Sequence, residues 1–501
     1  VLREVFLTAD IGISGVNFAV AETGTLCVLT NEGNGRMVTT LPRLHIALLG
    51  MERLVPSLDD LAVMLRLLPR SATGQKLTVY TSLLNGPRRA GDSEGPDERH
   101  VIIIDNGRGK LRASPLREML YCIRCGACLN ACPVFREIGG HAYVNKEGKG
   151  SPYPGPMGSV LSPALFGQAE FGQLARASTL CGACREACPV DIDLPRLLLR
   201  VRAGLTEDYQ PPEPKGKELK PNPPGWLAQG LRLFTWAAEH AGRFRLAQKL
   251  AGLVGGKGWL RLPAWSGWGL SKDFPRPAKQ SFQERWKSQE GQRASGQDMA
   301  TVLPPLPEQA VSPAVRAPLA AAEEMSLEAR LEKFRLELEA LGAKYVPCAQ
   351  DELAGHVIAL LKEKKSQEIL AWEDSSLPAG LLLALRDAGV QVMHPAAEDK
   401  LDAGRVRVGL TGALAGAAET GSLAIPGGKG RPLAASLLPE MHIAVLRKEN
   451  VLAGVDALLR LPGLTGAAAA VLVSGPSRTA DIEMTLTIGV HGPGELVVLC
   501  Y

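Results

Sequence analysis

The sequence predicts two copies of one α/β domain, with a small cysteine-rich segment between them. Motifs near the start of the chain recur in the same order near its end, which indicates an internal repeat. In the second copy, short apolar runs alternate with helical patterns, as in a parallel sheet covered by helices. Seven of the ten cysteines lie between the two copies, in the stretch from Tyr121 to Pro189.

The repeat consists of four pairs of matching motifs, and the first three keep the same spacing in both copies. The pairs are Gly12–Gly15 and Gly409–Gly412; Ala21–Leu26 and Ala418–Leu423; Pro42 with His45–Ala47 and Pro439 with His442–Ala444; and Gly86-Pro87 with Arg89 and Gly475-Pro476 with Arg478. Chance does not reproduce such spacing, so we infer two copies of one domain.

The two copies differ in what precedes them. Before Gly409 the pattern predicts a helix from Ser326, a second helix over Leu353–Lys364, and three strands. The strands are Lys344–Pro347, Ile369–Trp372 and Val390–His394. Only eleven residues precede Gly12, and the sequence starts at Val1 rather than methionine. Because a half-sheet would expose a long edge, we expect either a truncated first copy or a second chain that completes it.

The cysteines form two runs with the spacing of iron–sulfur ligands. The runs are Cys122-x2-Cys125-x2-Cys128-x3-Cys132-Pro133 and Cys181-x2-Cys184-x3-Cys188-Pro189. This is the signature of bacterial ferredoxins, in which the fourth cysteine of a run binds the other cluster. Zinc is the main competitor, but zinc sites do not require this pattern. Such tight groups also suit a metal in a reducing compartment better than disulfides.

Crossed ligation predicts the cysteines of each cluster. Cluster one, a [4Fe-4S] cluster, takes Cys122, Cys125, Cys128 and Cys188; cluster two takes Cys132, Cys181 and Cys184. Ser178 stands where the second run would carry another cysteine. Cluster two is therefore a [3Fe-4S] cluster, or a [4Fe-4S] cluster completed by Ser178, water or a partner. Alternatively, Ser178 is a helix N-cap or a solvent-facing residue without a metal contact.

The composition indicates a soluble, globular chain of several domains. A net charge of +4 over 501 residues gives no reason to expect nucleic-acid binding. No run reaches the roughly 18 apolar residues that cross a bilayer, and no signal peptide is visible. Thiolate-bound clusters favour the cytoplasm. The stretch Trp226–Val254 has apolar residues at helical spacing, interleaved with basic ones, so it could dock a partner or lie on a membrane surface. Packing on its own domain is the commoner role of such a helix.

The predicted domain boundaries follow from these patterns. They are 1–112 for the partial first copy, 113–210 for an α-helical ferredoxin-type domain, 211–290 for a linker and tryptophan-rich helical tail, 291–322 for a disordered linker, and 323–501 for the second copy.

The motifs resemble those of bacterial lactate-utilisation proteins. Cys122–Pro133, Leu180–Pro189 and the tryptophan-rich tail make about residues 1–290 similar to the iron–sulfur B subunit. Gly475–Glu483 is the most specific motif that makes about residues 325–501 similar to the small C subunit. The chain thus resembles an N-terminally truncated B subunit fused to a C subunit. Both subunits carry the LUD domain, whose fold is similar to ribose-5-phosphate isomerase and CoA-transferase-like α/β domains.

The resemblance implies a function that this chain does not complete alone. It implies oxidation of L-lactate to pyruvate in the cytoplasm, with a third, cysteine-rich A-type subunit. The sequence shows no flavin or nicotinamide motif, although removing two electrons from lactate normally needs a hydride acceptor. We therefore expect an iron–sulfur electron-transfer subunit of an L-lactate dehydrogenase-type oxidoreductase. The alternatives are a subunit of another 2-hydroxy-acid or quinone-linked oxidoreductase, or a non-catalytic metabolite-binding scaffold with structural clusters.

Six residues of the second copy are expected to line a pocket for a small 2-hydroxy acid. They are Glu419, Thr420, His442, Arg478, Asp481 and Glu483. Arginine suits a carboxylate because its planar fork binds both oxygens. Histidine could accept a hydroxyl proton, but His442 precedes an apolar run and could simply hydrogen-bond within the sheet. The first-copy equivalents Glu22, Thr23 and His45 are weaker candidates.

Two glycine-rich loops and three isolated cysteines complete the candidates. The loops Asn31–Arg36 and Gly427–Arg431 could cradle a phosphate, but neither matches a Walker or dinucleotide fingerprint. Hairpin turns are the alternative, since Asn-Gly favours tight turns. Cys27, Cys348 and Cys500 have apolar neighbours and are predicted to be core residues.

Overall fold

The computed structural model describes residues 2–204, 225–253, 255–256, 259–260, 274–279, 284, 325–395, 400–479 and 487–501. The chain divides into two compact units, residues 1–209 with 316–501 and residues 210–315. The predicted disordered linker 291–322, with Asp481 and Glu483 of the predicted pocket, lies outside the described residues. None of the helices in the described ranges has the length and apolar character needed to cross a bilayer.

The first copy contains seven strands and three helices. They are α1 (Leu2–Thr8), β1 (Ile11–Gly15), β2 (Phe18–Val20), β3 (Leu26–Thr30), α2 (Asn34–Thr40), β4 (Leu44–Gly50), β5 (Leu54–Val55), α3 (Leu58–Thr73), β6 (Tyr80–Leu84) and β7 (Glu98–Ile104). Helix α3 begins at a capping box in which Ser57 and Asp60 satisfy each other's backbone N–H groups. Its apolar stripe, with Leu61 and Leu65 fully buried, contributes about 1.5–3 kcal/mol for each large side chain.

The cysteine-rich segment is helical and has its own core. Its helices are α4 (Arg108–Ala113), α5 (Ala127–Ala131), α6 (Pro133–Ile138), α7 (Gly155–Phe166), α8 (Gln168–Phe171), α9 (Ala183–Glu186) and α10 (Leu194–Arg202). Three single 3₁₀ turns link them, at Arg117–Tyr121, Gly140–Ala142 and Gly172–Arg176. Helix α10, which Asp193 caps, buries Leu197 and Val201 against α7 and α9. The predicted boundary at residue 112, between the first copy and the ferredoxin-type domain, falls within α4. The position of this boundary stays a prediction.

The second unit is described by itself and only in part. It contains α11 (Gly225–Ala238), α12 (Ala241–Leu253), β8 (Trp259–Leu260) and β9 (Phe274–Pro275). The stretch Trp226–Val254, expected to be helical from its spacing, contains two helices, because a turn at residues 239–240 separates α11 from α12. The Arg243 guanidinium lies 4.6 Å from the centre of the half-exposed Trp236 ring. Docking of α11 and α12 on a partner, on a membrane surface or on their own domain stays a prediction.

The second copy has the complete α/β pattern. Before Val408 it adds α13 (Leu327–Ala340), β10 (Lys344–Pro347), α14 (Leu353–Glu363), β11 (Glu368–Ala371), α15 (Leu381–Asp387), β12 (Gln391–Met393) and α16 (Lys400–Ala403). The remaining elements are β13 (Val408–Gly412), β14 (Ala415–Ala417), β15 (Ser422–Pro426), β16 (Met441–Leu446), β17 (Val451–Leu452), α17 (Val455–Leu459), α18 (Pro462–Thr465), β18 (Ala469–Val473), β19 (Arg478–Thr479), β20 (Thr487–Ile488) and β21 (Glu495–Cys500). Strands β10, β21, β16, β13, β11 and β12 form a parallel sheet in that order.

The two copies join through one eight-stranded sheet. Its order is β17-β14-β15-β18-β6-β3-β2-β5, so each copy supplies one half. The central pair, β6 and β18, is antiparallel, with Tyr80 opposite Val473 and Leu84 opposite Ala469. Helices α3 and α17 cover one face, where Leu65 and Leu458 belong to the same core. The copies flank the cysteine-rich segment in sequence, but in space they form one continuous body.

The first copy has only part of the parallel sheet seen in the second. Strands β1, β4 and β7 match β13, β16 and β21, and nothing in the described residues of the first copy matches β10 to β12. Apolar side chains on β1 and β7 are therefore exposed, among them Ile13, Val101, Ile102, Ile103 and Ile104.

Candidate functional site

Two loops with the same backbone conformation hold the cysteines. Arg124 and Leu180, one residue before Cys125 and Cys181, both have φ of 57°, which is uncommon for a non-glycine residue. Gly126 and Gly182 follow with φ of 80° and 90°, as the N-caps of α5 and α9. Each run thus makes the same left-handed turn, where glycine avoids a steric penalty at its second position.

Cysteines from both runs line one cavity of about 260 Å³. They are Cys122, Cys125 and Cys128 from the first run and Cys188 from the second. The rest of the wall is mainly apolar and includes Met119, Leu129, Met157, Val190, Ile192 and Leu194. Four sulfurs around an apolar cavity fit the ligand set of a four-iron cluster, whose potential depends on burial and on hydrogen bonds to sulfur.

The other three cysteines form a second group of neighbouring sulfurs. Burial raises the pKa of the Cys184 thiol, and the sulfurs of Cys132 and Cys181 raise it further. Cys181 is exposed, and its pKa is lowered by the N–H of Ala183 and the hydroxyl of Thr179. Thr179, which lies three residues before Gly182 in the turn that holds Cys181, was not predicted from the sequence.

The two groups of cysteines lie next to each other. Burial raises the pKa of the Cys128 thiol to about 11, and the sulfurs of Cys122 and Cys184, one from each group, add to the rise. Metal binding would therefore release protons from these thiols. Across the described ranges, no three His, Cys, Asp or Glu side chains surround a single metal ion. An iron–sulfur cluster instead spreads its thiolates over several iron atoms.

Ser178 occupies the position in the second run that Cys122 has in the first. The Cys122 sulfur accepts a hydrogen bond from the N–H of Arg124, two residues on. The Ser178 hydroxyl oxygen accepts one from the N–H of Leu180 at 3.1 Å, also two residues on. Ser178 is not the N-cap of the following helix, because that residue is Gly182. Its hydroxyl oxygen thus has the same backbone donor, two residues on, as the Cys122 sulfur, and a role as a ligand stays a prediction.

The predicted catalytic histidine is buried in a sheet. His442 is 1% exposed, and its Nε2 lies 2.9 Å from the Thr411 hydroxyl. Burial, with a smaller contribution from the Arg36 guanidinium, lowers the pKa of His442 to about 3. His45 has the same setting, with Ser14 at 2.8 Å and a pKa of about 4 that results mainly from burial. These contacts favour a hydrogen-bonding role within the sheet, and proton transfer by His442 stays a prediction.

Glu419 pairs with an arginine of the other copy. Arg66 donates from Nε to Oε1 of Glu419 at 3.0 Å and from Nη2 to Oε2 at 2.9 Å. Nη2 also contacts Asp456 at 2.6 Å. In the first copy, Glu22 instead accepts from the N–H of Leu58 at 2.7 Å. Glu419, unlike Glu22, therefore joins the two copies, and a catalytic role for Glu419 stays a prediction.

The threonine beside Glu419 belongs to a chain of buried hydroxyls. Thr420 contacts Ser422 at 2.7 Å, and Ser422 contacts Ser474 at 2.7 Å. In the first copy the equivalent contact joins Thr23 and Thr25 at 2.8 Å. These hydrogen bonds connect neighbouring strands and leave Thr420 buried rather than open to a ligand.

Arg478 keeps guanidinium nitrogens without a partner. Its Nε and Nη2 are buried, and neither finds a hydrogen-bond partner in the part of the chain that is described. Burial lowers the pKa of Arg478. Its backbone N–H donates to the carbonyl of Asn31 in the first copy at 2.9 Å. An anion that accepts from both nitrogens would satisfy this side chain.

The glycine-rich loops contact the opposite copy. Gly430 donates its N–H to the Ser93 hydroxyl at 3.1 Å, and Ala434 donates to the Glu94 carboxylate at 2.9 Å. Burial raises the pKa of Glu94 to about 7. The loop Gly427–Arg431 is a tight turn, but Asn31–Arg36 is not a hairpin, because helix α2 begins within it.

Ser93 and Glu94 were not predicted from the sequence, although a signal for Glu94 exists. The spacing Arg89-x2-Asp92-x-Glu94 repeats Arg478-x2-Asp481-x-Glu483, so the fourth pair of motifs is longer than the shared Gly-Pro and arginine.

Of the isolated cysteines, Cys27 and Cys500 are buried and Cys348 is half-buried.

Comparison with known families identifies both parts of this architecture. The family described as LUD domain matches residues 1–104 and 331–501, which together make up more than half of the chain. The chain belongs to the LUD domain family. A second family, described as 4Fe-4S dicluster domain, matches residues 118–192, which hold both cysteine runs.

Curated relatives match more than half of the chain. An uncharacterised electron transport protein of Escherichia coli, YkgF, is 44% identical over 298 residues, covering 58% of this chain and 59% of that protein. Lactate utilization protein B of Bacillus subtilis is 43% identical over 294 residues, covering 58% of each. The protein of the same name from Macrococcus caseolyticus is 45% identical over 295 residues, covering 56% of this chain and 57% of that protein. The chain thus spans less than two thirds of these relatives.

One solved structure is also similar. It is a DUF162 family protein from Deinococcus radiodurans, with 23% identity and a TM-score of 0.27. The similarity covers 35% of this chain and 98% of that protein.

The second LUD copy has a cavity of about 350 Å³ at the carboxyl ends of β13 and β16. Ligands of open α/β sheets bind outside the carboxyl ends of strands. Arg431, Arg447 and Tyr501 contribute to its wall, together with backbone near Gly412. Of the six residues that the sequence analysis expected in one pocket, the four described ones are absent from this wall.

The first LUD copy presents the same sheet edge to the first cysteine run. Residues after β4, among them Glu52, line a cavity of about 290 Å³ together with Cys122. Glu52 contacts Arg108 at 3.3 Å and Arg124 at 3.1 Å. The position that is open in the second copy therefore faces the cysteine loops in the first.

Proposed function

We propose that this chain carries two iron–sulfur clusters and transfers electrons in a complex that oxidises L-lactate to pyruvate. The observation that carries the proposal is the cavity lined by three cysteines of the first run and Cys188 of the second. Only crossed ligation brings these four sulfurs to one cluster. The names of the relatives, an electron transport protein and lactate utilization protein B, support the wider role.

The residues around the sulfurs suit a chain of electron carriers. Cys122, Cys125, Cys128 and Cys188 would hold cluster one; Cys132, Cys181 and Cys184 would hold cluster two. The clusters would accept and release single electrons. Met119, Leu129 and Met157 would shield cluster one from water, and Cys128 lies near sulfurs of both groups, so the two clusters would be neighbours.

Ser178 is the candidate for the fourth position of cluster two. Its hydroxyl is held by a backbone N–H in the same way as the Cys122 sulfur, which supports oxygen ligation of a [4Fe-4S] cluster. In a [3Fe-4S] cluster, which lacks the fourth iron, Ser178 would not be a ligand and would keep only its hydrogen bond from the N–H of Leu180. An oxygen ligand is harder than a thiolate, and a missing ligand changes the charge of the cluster. Either state would therefore give cluster two a different potential from cluster one.

Arg478 is the candidate for binding the carboxylate of a 2-hydroxy acid, because two of its buried nitrogens lack partners. The predicted neighbours His442, Glu419 and Asp481 keep their proposed catalytic roles only if Arg478 binds the acid. Arg447, which lines the cavity at the sheet edge, is the matched control. We expect Arg478→Ala to weaken L-lactate binding in calorimetry without changing iron content. Equal affinity in Arg478→Ala and wild type, with weaker binding in Arg447→Ala, would move the site to the cavity.

The proposal includes partners that would complete the reaction. Since clusters pass electrons singly, another subunit has to take two electrons from lactate, and the cysteine-rich A-type subunit is the candidate. We place the complex in the cytoplasm, with or without membrane association, because reducing compartments preserve thiolate ligands. For the LUD copies we propose a fold similar to that of ribose-5-phosphate isomerase and CoA-transferase-like domains.

Anaerobic electron paramagnetic resonance (EPR) with iron and sulfide analysis tests the function. The spectra are recorded as isolated, after dithionite, and after L-lactate with the A-type subunit. Two clusters that lactate reduces would support the proposal. Clusters that only dithionite or another 2-hydroxy acid reduces would favour a different oxidoreductase. Clusters that stay redox-inert over the physiological range would favour the scaffold alternative.

A further inference from the structure

The cavity at the carboxyl ends of β13 and β16 lies where four neighbouring parallel strands end. Strands β21, β16, β13 and β11 follow one another in the sheet, and the wall includes the residue directly after each of them. These residues are Tyr501, Arg447, Ala413 and Trp372. With a volume of about 350 Å³, the cavity has the size of a small-molecule site. Its position is also the one at which open α/β sheets bind ligands.

The wall of this cavity is positively charged. Its described residues include two arginines, Arg431 and Arg447, but neither an aspartate nor a glutamate. Two acids of the adjoining turn lie outside the wall: Asp374 contacts an arginine of α15 at 3.0 Å, and the Glu373 carboxylate lies beside Gly430. A guanidinium binds oxygens of an anionic group through its planar fork of N–H donors. The charge of the wall therefore favours an anion.

Contacts within the wall hold both guanidinium groups and leave N–H donors for a ligand. Arg447 donates from Nε to the Tyr501 hydroxyl at 3.0 Å, which uses one of the five N–H donors of its side chain. Arg431 packs against a tight turn, where a Cβ on Gly428 would lie 3.2 Å from Nη2 of Arg431. Because Gly428 has a φ of 142° and no side chain, the turn forms and leaves room for the guanidinium.

The repeat shows that the fold does not require these two arginines. At the spacing that relates the two buried sheet histidines, Gly50 of the first copy corresponds to Arg447, and Asn34 corresponds to Arg431. Strands β1, β4 and β7 nevertheless pair in the first copy as their equivalents do in the second. The arginines are therefore a feature of the second cavity and not of the shared framework.

We propose that this cavity binds a dianionic small molecule, a phosphate monoester or a dicarboxylate, through Arg431 and Arg447. Two guanidinium groups in one wall favour a ligand with two negative charges over a monocarboxylate such as L-lactate. The site is separate from the one proposed at Arg478, which does not belong to the wall. Its occupation does not depend on the proposed clusters.

Isothermal titration calorimetry of the full chain with methyl phosphate, malonate and acetate tests the site. Titrations at about pH 8 keep methyl phosphate dianionic, because the second pKa of phosphate monoesters is lower. We expect one saturable site per chain for at least one dianion, with a Kd at least about tenfold lower than that of acetate. The dianion that binds more tightly identifies the ligand as a phosphate ester or a dicarboxylate. This comparison uses wild type alone, so it does not depend on the folding of a variant.

Substitutions then locate the dianion. Arg447→Gln and Arg431→Gln should each raise the Kd of the bound dianion about tenfold or more, because each removes charge-assisted hydrogen bonds. Arg407→Gln is the matched control, since Arg407 lies directly before β13, at the opposite edge of the same sheet, and pairs with Glu440. It removes the same charge and should leave the Kd unchanged.

Four results would overturn the assignment. They are the absence of saturable binding of both dianions to wild type, acetate binding as tight as that of the dianions, an unchanged Kd in both cavity variants, and an equal rise of the Kd in Arg407→Gln. Weaker L-lactate binding in Arg447→Gln would also overturn it, because the monocarboxylate would then occupy the cavity. Loss of the clusters would leave the dianion titrations unchanged, so failure of the proposed function is distinguishable from failure of this site.

Discussion

Exchanging one cysteine in each run decides between crossed and uncrossed ligation. In the crossed arrangement, Cys132→Ala leaves cluster two with two thiolates, whereas Cys188→Ala leaves cluster one with three. In the uncrossed arrangement the outcomes reverse, because Cys132 would be one of four ligands and Cys188 one of three. The two assignments therefore disagree on which variant loses a whole cluster.

The structure sets the size of each effect. Cys188 lies in the cavity with Cys122, Cys125 and Cys128, and Cys132 lies within electrostatic reach of Cys184. Three thiolates are the complement that cluster two has in wild type, so cluster one of Cys188→Ala should persist and lose about one iron. Cys132→Ala should lose about three or four irons, the whole of cluster two.

The assay is iron and acid-labile sulfide per chain, with EPR of the dithionite-reduced proteins. Cys348→Ala is the matched control, since Cys348 is half-buried and belongs to neither run. Loss of a whole cluster in Cys188→Ala, with a loss of about one iron in Cys132→Ala, would refute crossed ligation. Equal losses in both variants would show that the two clusters assemble as one unit.

Three further predictions follow from single contacts. Ser178→Cys should supply a fourth thiolate, remove any three-iron EPR signal and lower the potential of cluster two, and an unchanged spectrum would count against Ser178 as the fourth position. Arg66→Met and Glu419→Gln should each lower the free energy of unfolding in urea by about 2 kcal/mol, because removing one partner leaves the other charge unpaired and only about one-fifth exposed. The double mutant should lower the free energy of unfolding by clearly less than the sum of the two single mutants. Below about pH 6.5, His442 is protonated in the unfolded state but stays neutral in the folded state, where its pKa is about 3. The free energy of unfolding should therefore fall by up to ~1.4 kcal/mol per pH unit as the pH decreases. His442→Asn should reduce this slope.

The sequence predicted the features that depend on neighbouring residues. Helix α13 begins where Ser326 was expected to start it, and the Ser326 hydroxyl accepts from the N–H of Ala329. The strands of the second copy coincide with the predicted apolar runs, because period and turn residues specify them locally. The cysteine spacing likewise predicted the dicluster domain, since ligand geometry requires fixed intervals along the chain.

The candidate pocket of the second copy was harder to predict. His442 and Thr420 recur in the repeat because they bond within and between strands, and a repeated motif does not distinguish a structural role from a catalytic one. The partner of Glu419 is Arg66, which lies in the other copy. The residues next to Glu419 in the sequence do not indicate this partner. Arg478 is the predicted residue whose surroundings still call for a ligand.

The sequence by itself determined the repeat, the strand–helix alternation of the second copy and the segment that holds both cysteine runs. Only the tertiary structure decided that β6 and β18 join the copies into one sheet, so that each glycine-rich loop meets the other copy. Strand pairing across the chain depends on edge hydrogen bonds that any exposed strand can offer, and sequence spacing does not say which edges meet.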